Sequence, residues 1–147
     1  MRVLLLEDDE AHATIVETAL RLEDPRVELV HLRDGAAALD RLQANASGGE
    51  ASFDLVLLDL KLPRIDGHEV LRRIKADPLL RAIPVVVLTT SVSGSDLRRA
   101  YEHHANSYLV KPVDFQSFQD MIRDLNRYWA TWNHRPDDAP SESTAVN

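Results

Sequence analysis

No cysteine occurs among the 147 residues, which removes disulfides, thiolate nucleophiles and cysteine-based zinc sites from consideration. Glycine is scarce: none of the five falls into the clustered spacing that cradles nucleotide phosphates, so Walker or dinucleotide binding is not supported. Positive charge is in deficit. Lys and Arg number 17 against 24 Asp and Glu, a formal net charge of −7; nonspecific nucleic-acid binding needs the opposite balance. Long hydrophobic runs are also missing. Leu55 to Leu58 and Ile83 to Leu88 fall far short of the ~20 residues that a membrane-spanning helix needs, and Glu7, Asp8, Asp9 and Glu10 interrupt any apolar signal sequence. A cytoplasmic protein with neither membrane nor nucleic acid as a direct partner is the expectation.

What remains is the composition of a globular protein, 44% hydrophobic and 28% charged, at a length suited to one domain with a real core. Short apolar runs alternate with amphipathic segments: Val3 to Leu6, Ala11 to Leu22, Val27 to Leu32, Ala36 to Gln43, Asp54 to Leu58, Glu69 to Lys75, Val85 to Leu88, Leu97 to His103, Tyr108 to Val110 and Phe115 to Trp132. This is a β/α alternation repeated five times. Leu55 to Leu58 and Val85 to Leu88 carry no polar alternation, so both of their faces are expected to be buried, as in a parallel sheet covered by helices on each side. The predicted fold is therefore α/β, a doubly wound five-stranded parallel sheet with five helices. Asp34-Gly35 opens the second helix, and Asp77-Pro78 stops the third because proline disfavours helical geometry in the residue before it. Asn45 to Ser52 reads as a flexible surface loop. Residues 1–132 are expected to form the domain, and the polar, proline-bearing residues 133–147 a flexible tail.

In open parallel sheets the functional crevice lies outside the carboxyl ends of the strands. Those ends are chemically coherent here: Glu7-Asp8-Asp9, Asp59, Thr89-Thr90 and Lys111-Pro112. With the first and third strands adjacent, Glu7 or Asp8 converges on Asp59, and carboxylates so close repel unless a cation sits among them. Oxygen ligands with no His or Cys nearby select a hard ion, Mg²⁺ or Mn²⁺. Such an ion can bridge carboxylate and phosphoryl oxygens, with Lys111 adding an ammonium and Thr89 a hydroxyl, and Asp59 as nucleophile. Taken singly, each feature has a plain structural reading: an acidic cluster caps a helix, a threonine fills a strand, a lysine lies on the surface. Only their coincidence argues for chemistry.

These residues resemble a known family. Glu7-Asp8-Asp9 after Val3-Leu4-Leu5-Leu6, the run Asp59-Leu60-Lys61-Leu62-Pro63-Arg64-Ile65-Asp66-Gly67, then Leu88-Thr89-Thr90-Ser91 and Tyr108-Leu109-Val110-Lys111-Pro112 are similar to a response-regulator receiver domain of two-component signalling. The resemblance implies a flavodoxin-like strand order 2-1-3-4-5, Asp59 as phosphoacceptor and a sensor histidine kinase as donor. It makes Asp8 a direct Mg²⁺ ligand, Glu7 a ligand through water, the Lys61 carbonyl a further ligand, and Asp9 the less fitting candidate. It assigns Thr89 and Tyr108 to a coupled switch and Lys111 to the phosphoryl group, with Lys111-Pro112 commonly cis in the family. Pro63 and Gly67 shape the loop after the acceptor. The loop at Asn45 to Ser52, the Val87 to Ser91 strand end and Tyr128-Trp129 are similar to regulators serving phytochrome-type kinases. The side chain of Lys61 adds a second cation beside the site.

The last helix sets Phe115, Phe118, Ile122, Leu125, Trp129 and Trp132 at spacings of three and four. Phe118, Ile122 and Leu125 are expected to face the core, and Trp129 and Trp132 to mark an interface, giving a homodimer through the fourth and fifth helices with the fifth strand. Two other readings compete. An aspartyl-nucleophile hydrolase needs a second acid two residues after the nucleophile, where Lys61 stands; a pseudo-receiver that binds without turning over phosphate would not need the intact acidic, hydroxyl and ammonium set.

Overall fold

The computed structural model describes residues 1–48 and 51–140. Five strands, β1 (Arg2–Leu6), β2 (Glu28–Leu32), β3 (Leu55–Leu58), β4 (Val85–Thr89) and β5 (Ser107–Val110), alternate with five helices, α1 (Glu10–Glu23), α2 (Gly35–Ala46), α3 (Gly67–Ala76), α4 (Gly94–Glu102) and α5 (Phe115–Asn126). The sheet is wholly parallel, in the order β2-β1-β3-β4-β5. As the uninterrupted apolar runs require, every residue of β3 and β4 is buried, whereas the edge strands β2 and β5 are only partly covered. Two cores result. One joins Leu4, Leu6, Val56, Leu58, Val85 and Val87 to α2, α3 and α4; the other joins Val3, Leu5, Leu55, Leu57, Val86 and Leu88 to α1 and α5. Alternate residues of one strand feed opposite cores because successive side chains point to opposite faces.

Side-chain caps set the helix starts. Asp9, Asp34, Asp66, Ser93 and Asp114 each accept a backbone N–H from the first turn of α1 to α5 in turn, as orphan donors at helix starts require. Asp34 and Asp77 act as read from the sequence, the latter as the residue where α3 ends. The surface loop expected from Asn45 begins later: α2 runs to Ala46, and Gly48 carries the turn with φ 101°. Gly49 and Glu50 of that stretch lie outside the described residues.

The C-terminal helix changes winding. After Asn126 it continues as a π-helical segment, Arg127–Trp132, whose i→i+5 bonds turn residues off an α-helical stripe. Trp129 still meets the core seam and is buried against it, with Tyr128 edge-on at 5.1 Å; Trp132 is 75% exposed. The expectation that both tryptophans mark an interface is corrected for Trp129, which belongs to the core because the chain stays packed on α1 and β4–β5 for one turn more than its length in the sequence implied. Beyond it, Arg135 reaches Asp54 at 3.2 Å and Pro136–Asp138 forms a 3₁₀ turn; residues 141–147 of the expected tail lie outside the described residues. Among the described residues no helix is long and apolar enough to cross a membrane.

Candidate functional site

The parallel ladder delivers the functional residues to one end of the sheet. Pairing of Leu6 with Leu58, and of Thr89 with Val110, sets the next residues side by side: Asp59 N–H donates to the Leu6 carbonyl at 3.0 Å, and Lys111 N–H to the Thr89 carbonyl at 2.7 Å. The loop after Asp59 is closed by Gly67, whose N–H donates to the Leu60 carbonyl at 2.9 Å. A Cβ at Gly67 would stand 2.3 Å from the Asp59 carbonyl oxygen, so no larger residue allows this return. Pro63 contributes carbonyl contacts to Ile65 and Gly35, and Arg64 adopts φ 69°, a left-handed conformation that is uncommon for a side chain with Cβ.

Lys111 occupies the centre. Its Nζ donates to Asp59 Oδ2 at 2.9 Å, to Glu7 Oε1 in a very short contact, and to His12 Nδ1 at 3.0 Å. An ammonium has donors only, so Nδ1 of His12 accepts. Asp59 Oδ1 takes the Lys61 backbone N–H at 3.2 Å, while the Lys61 side chain is exposed. Lys111 and Glu7 are buried almost completely, and Asp59 nearly so. Burial pushes the Glu7 carboxyl up to about 7, helped by a hydrogen bond with Asp59 and opposed by Lys111. For Asp59 burial also acts upward, but the hydrogen bonds from Glu7 and Lys111 prevail and hold it below the usual carboxylate range. Of the pair, Asp59 thus ionises first and Glu7 holds its proton to higher pH.

Lys111 thus sets a fixed positive charge between the two carboxylates. Among the described residues no group of three acidic or imidazole side chains is gathered to hold a metal; Asp8 is exposed, and Asp9 is engaged as the N-cap of α1. The donor chemistry still fits a hard ion. Two buried carboxylates, Glu7 and Asp59, face one ammonium, and exposed Asp8 follows Glu7 in the chain as a further oxygen donor. The sequence reading also placed no histidine nearby, and this is corrected: one turn into α1, His12 comes within 3.6 Å of Glu7 Oε1, with its ring against Phe118. No motif marks His12; only the first turn of α1 folding back over the strand end reveals it.

Thr89 is fully buried, and its Oγ1 accepts the Ser91 N–H at 3.3 Å. Tyr108 is half-buried against the α2–α4 core, and its hydroxyl donates to the Ser91 carbonyl at 3.0 Å. Ser91 thus holds both members of the expected switch, though it carried no role in the sequence reading. The Lys111-Pro112 bond is trans, not the cis isomer common in the family.

Comparison with known proteins identifies the family that shares this fold. The model of the response regulator receiver domain matches residues 3–123. The probable methanogenesis regulatory protein FilR2 of Methanothrix harundinacea is 49% identical over 134 residues, covering 91% of this chain and 86% of that protein. The response regulator Rcp1 of Synechocystis is 41% identical over 128 residues, covering 86% of this chain and 87% of Rcp1. Among solved structures, the phosphorylated cyanobacterial phytochrome response regulator RcpA superposes with a TM-score of 0.85 at 35% identity, over 92% of this chain and 97% of RcpA. The Mn²⁺-bound form of Rcp1 gives 0.84 at 39%, over 92% and 98%. Since the family model spans residues 3–123 of the 147, the chain belongs to the response regulator receiver domain family, with phytochrome response regulators among its relatives.

Proposed function

We propose that this chain accepts a phosphoryl group on Asp59 from a sensor histidine kinase and signals by changing a protein-contact surface. The observation that carries the reading is the buried, ionised Asp59 carboxylate held by Lys111 and by the Lys61 N–H at the end of β3. An Asp59 oxygen forms the new bond to phosphorus as the bond between phosphorus and the donor's nitrogen breaks. Lys111, released from Glu7, follows the charge onto the phosphoryl oxygens. Asp8, Asp59 and the Lys61 carbonyl would hold a hard divalent ion, Mg²⁺ or Mn²⁺, with Glu7 acting through water, and such an ion would supply charge neutralisation there. The donor set fits it, and a relative in this family has been solved with Mn²⁺. Kinship with RcpA and Rcp1 favours a phytochrome-type kinase as donor.

Each phosphoryl group brings roughly 1.5–2 negative charges, drawing the Thr89 hydroxyl toward Asp59 and away from Ser91, and so biasing the loop that holds Tyr108. The face that this loop adjoins carries Leu97, Tyr101, Val110, Val113 and Phe115, all exposed. It is the surface for a homodimer through α4, β5 and α5, with Trp132 at its end. Incubation with Mg²⁺ and acetyl phosphate is expected to add one labile phosphoryl mass to the chain and none to Asp59→Asn; equal labelling of both overturns the reading. Sedimentation equilibrium tests the dimer: a monomer at micromolar concentration with and without phosphorylation defeats it.

A further inference from the structure

His68, one residue past the glycine that closes the acceptor loop, is a buried polar residue on a face that otherwise takes Val70, Leu71 and Ile74. It is 5% exposed, and its Nδ1 has no hydrogen-bond partner. An apolar side chain would fill that space without stranding a polar atom, so the value of the imidazole lies at its other nitrogen. Nε2 lies 2.9 Å from Asp96 Oδ1 on α4. Ser91 and His68, both bonded to Asp96, hold its carboxyl below the usual range, so Asp96 is an acceptor and Nε2 carries the shared proton.

The chain of bonds continues. Asp96 Oδ2 accepts the Ser91 hydroxyl at 2.5 Å, the Ser91 N–H goes to Thr89 Oγ1, and the Ser91 carbonyl accepts the Tyr108 hydroxyl at 3.0 Å. One polar path thus runs from the start of α3, across the first turn of α4, to both residues of the switch. Ser93, the N-cap of α4, closes a second loop on the same group by donating its N–H to Ser91 Oγ at 3.3 Å. Each link depends on the one before it: with Asp96 unanchored, Ser91 loses the contact that fixes its carbonyl in front of Tyr108.

We propose that His68 is a positioning residue for the switch, anchoring Asp96 and thereby Ser91 so that Tyr108 is held inward before any phosphoryl group arrives. This deepens the proposed function and, for its phosphorylation arm, rests on it. In the proposed switch the modified state also turns the Tyr108 ring inward, and because coupling between sites is reciprocal at equilibrium, an anchor that holds the ring inward raises the ratio of modified to unmodified Asp59.

The test compares His68→Leu, His68→Gln, Ser91→Ala, Tyr108→Phe and His68→Leu/Tyr108→Phe. It reads the ratio of modified to unmodified chain reached with Mg²⁺ and acetyl phosphate, and the Tyr108 ring resonances of the unmodified protein. His68→Leu and Ser91→Ala are expected to lower the ratio of modified to unmodified chain roughly fivefold, the lower end of intersite couplings, and to shift and broaden the Tyr108 signals. His68→Gln, which keeps a donor near the Nε2 position, is expected to restore both. In the Tyr108→Phe background His68→Leu should have no further effect, since the hydroxyl it acts through is gone; a merely structural histidine gives additive losses instead. Additivity, failure of glutamine to rescue, or unchanged Tyr108 resonances in His68→Leu overturns the proposal. Should His68→Leu not fold, Ser91→Ala cuts the same path from a half-exposed loop and decides. If the unsubstituted chain takes no phosphoryl group, the proposed function fails, and the Tyr108 resonances alone judge the anchor.

Discussion

The raised Glu7 carboxyl beside Asp59 sets a measurable pH dependence. An unfolded glutamate ionises near 4.5, and the folded one near 7. Between these values the folded chain keeps a proton that the unfolded chain has lost, so this residue's contribution to stability falls as pH rises through that window and stays lower above it. In metal-free buffer, Glu7→Gln is therefore expected to be more stable than the parent at pH 8 by at least about 1 kcal/mol, with the difference vanishing below pH 4.5. Urea unfolding across that range checks it, and a parallel pair of curves contradicts it. Gly67 is the other residue where a single atom matters. The added Cβ of Gly67→Ala meets backbone at 2.3 and 2.5 Å, atoms that cannot yield without moving Asp59. A loss of about 1–3 kcal/mol, together with slower modification by acetyl phosphate, is the expected outcome in urea titration and mass spectrometry.

At the scale of elements, α5 and its π-wound extension decide where the domain ends. Trp129→Ala opens a cavity in the core beneath α1 and β4 and is expected to cost about 3–5 kcal/mol. Trp132→Ala, on an exposed side chain, should stay within about 0.5 kcal/mol in monomer stability. Chemical denaturation of the two variants separates a core tryptophan from a surface one. The sequence pattern could not make this distinction. Spacings of three and four from Phe118 to Leu125 place the stripe correctly, but whether the next residues still face protein depends on how far α1 and β5 extend beneath them, and the change to i→i+5 winding leaves no mark in residue type. The salt links of Glu23 with Arg123 and Arg127 tie α1 to this segment; they pair residues a hundred positions apart and are equally silent in the sequence.

For the whole molecule, cation binding and folding are linked. A divalent ion held only by the folded chain stabilises it by about 2.7 kcal/mol at a hundredfold excess over its dissociation constant. Mg²⁺ is thus expected to raise the melting temperature in a concentration-dependent way, with the rise lost in Asp8→Asn; calorimetry showing the same rise in both proteins removes Asp8 from the ligand set. Lys111 already contacts Asp59, so an ion bound there would share that carboxylate with the ammonium.

Local chemistry alone determined a good deal of this protein. Uninterrupted apolar runs fixed the central strands, the alternation of strand and helix fixed the doubly wound sheet, and the residue types at the strand ends fixed where chemistry gathers, because parallel strands all present their carboxyl ends to one edge. Long-range packing decided the rest. That Lys111 lies between Glu7 and Asp59, that His12 joins them, that Trp129 is core, and that His68 is linked to Tyr108 through Asp96 and Ser91 all depend on distances across the chain, and a polar side chain's partner is set by what the fold brings opposite it, not by its neighbours in sequence.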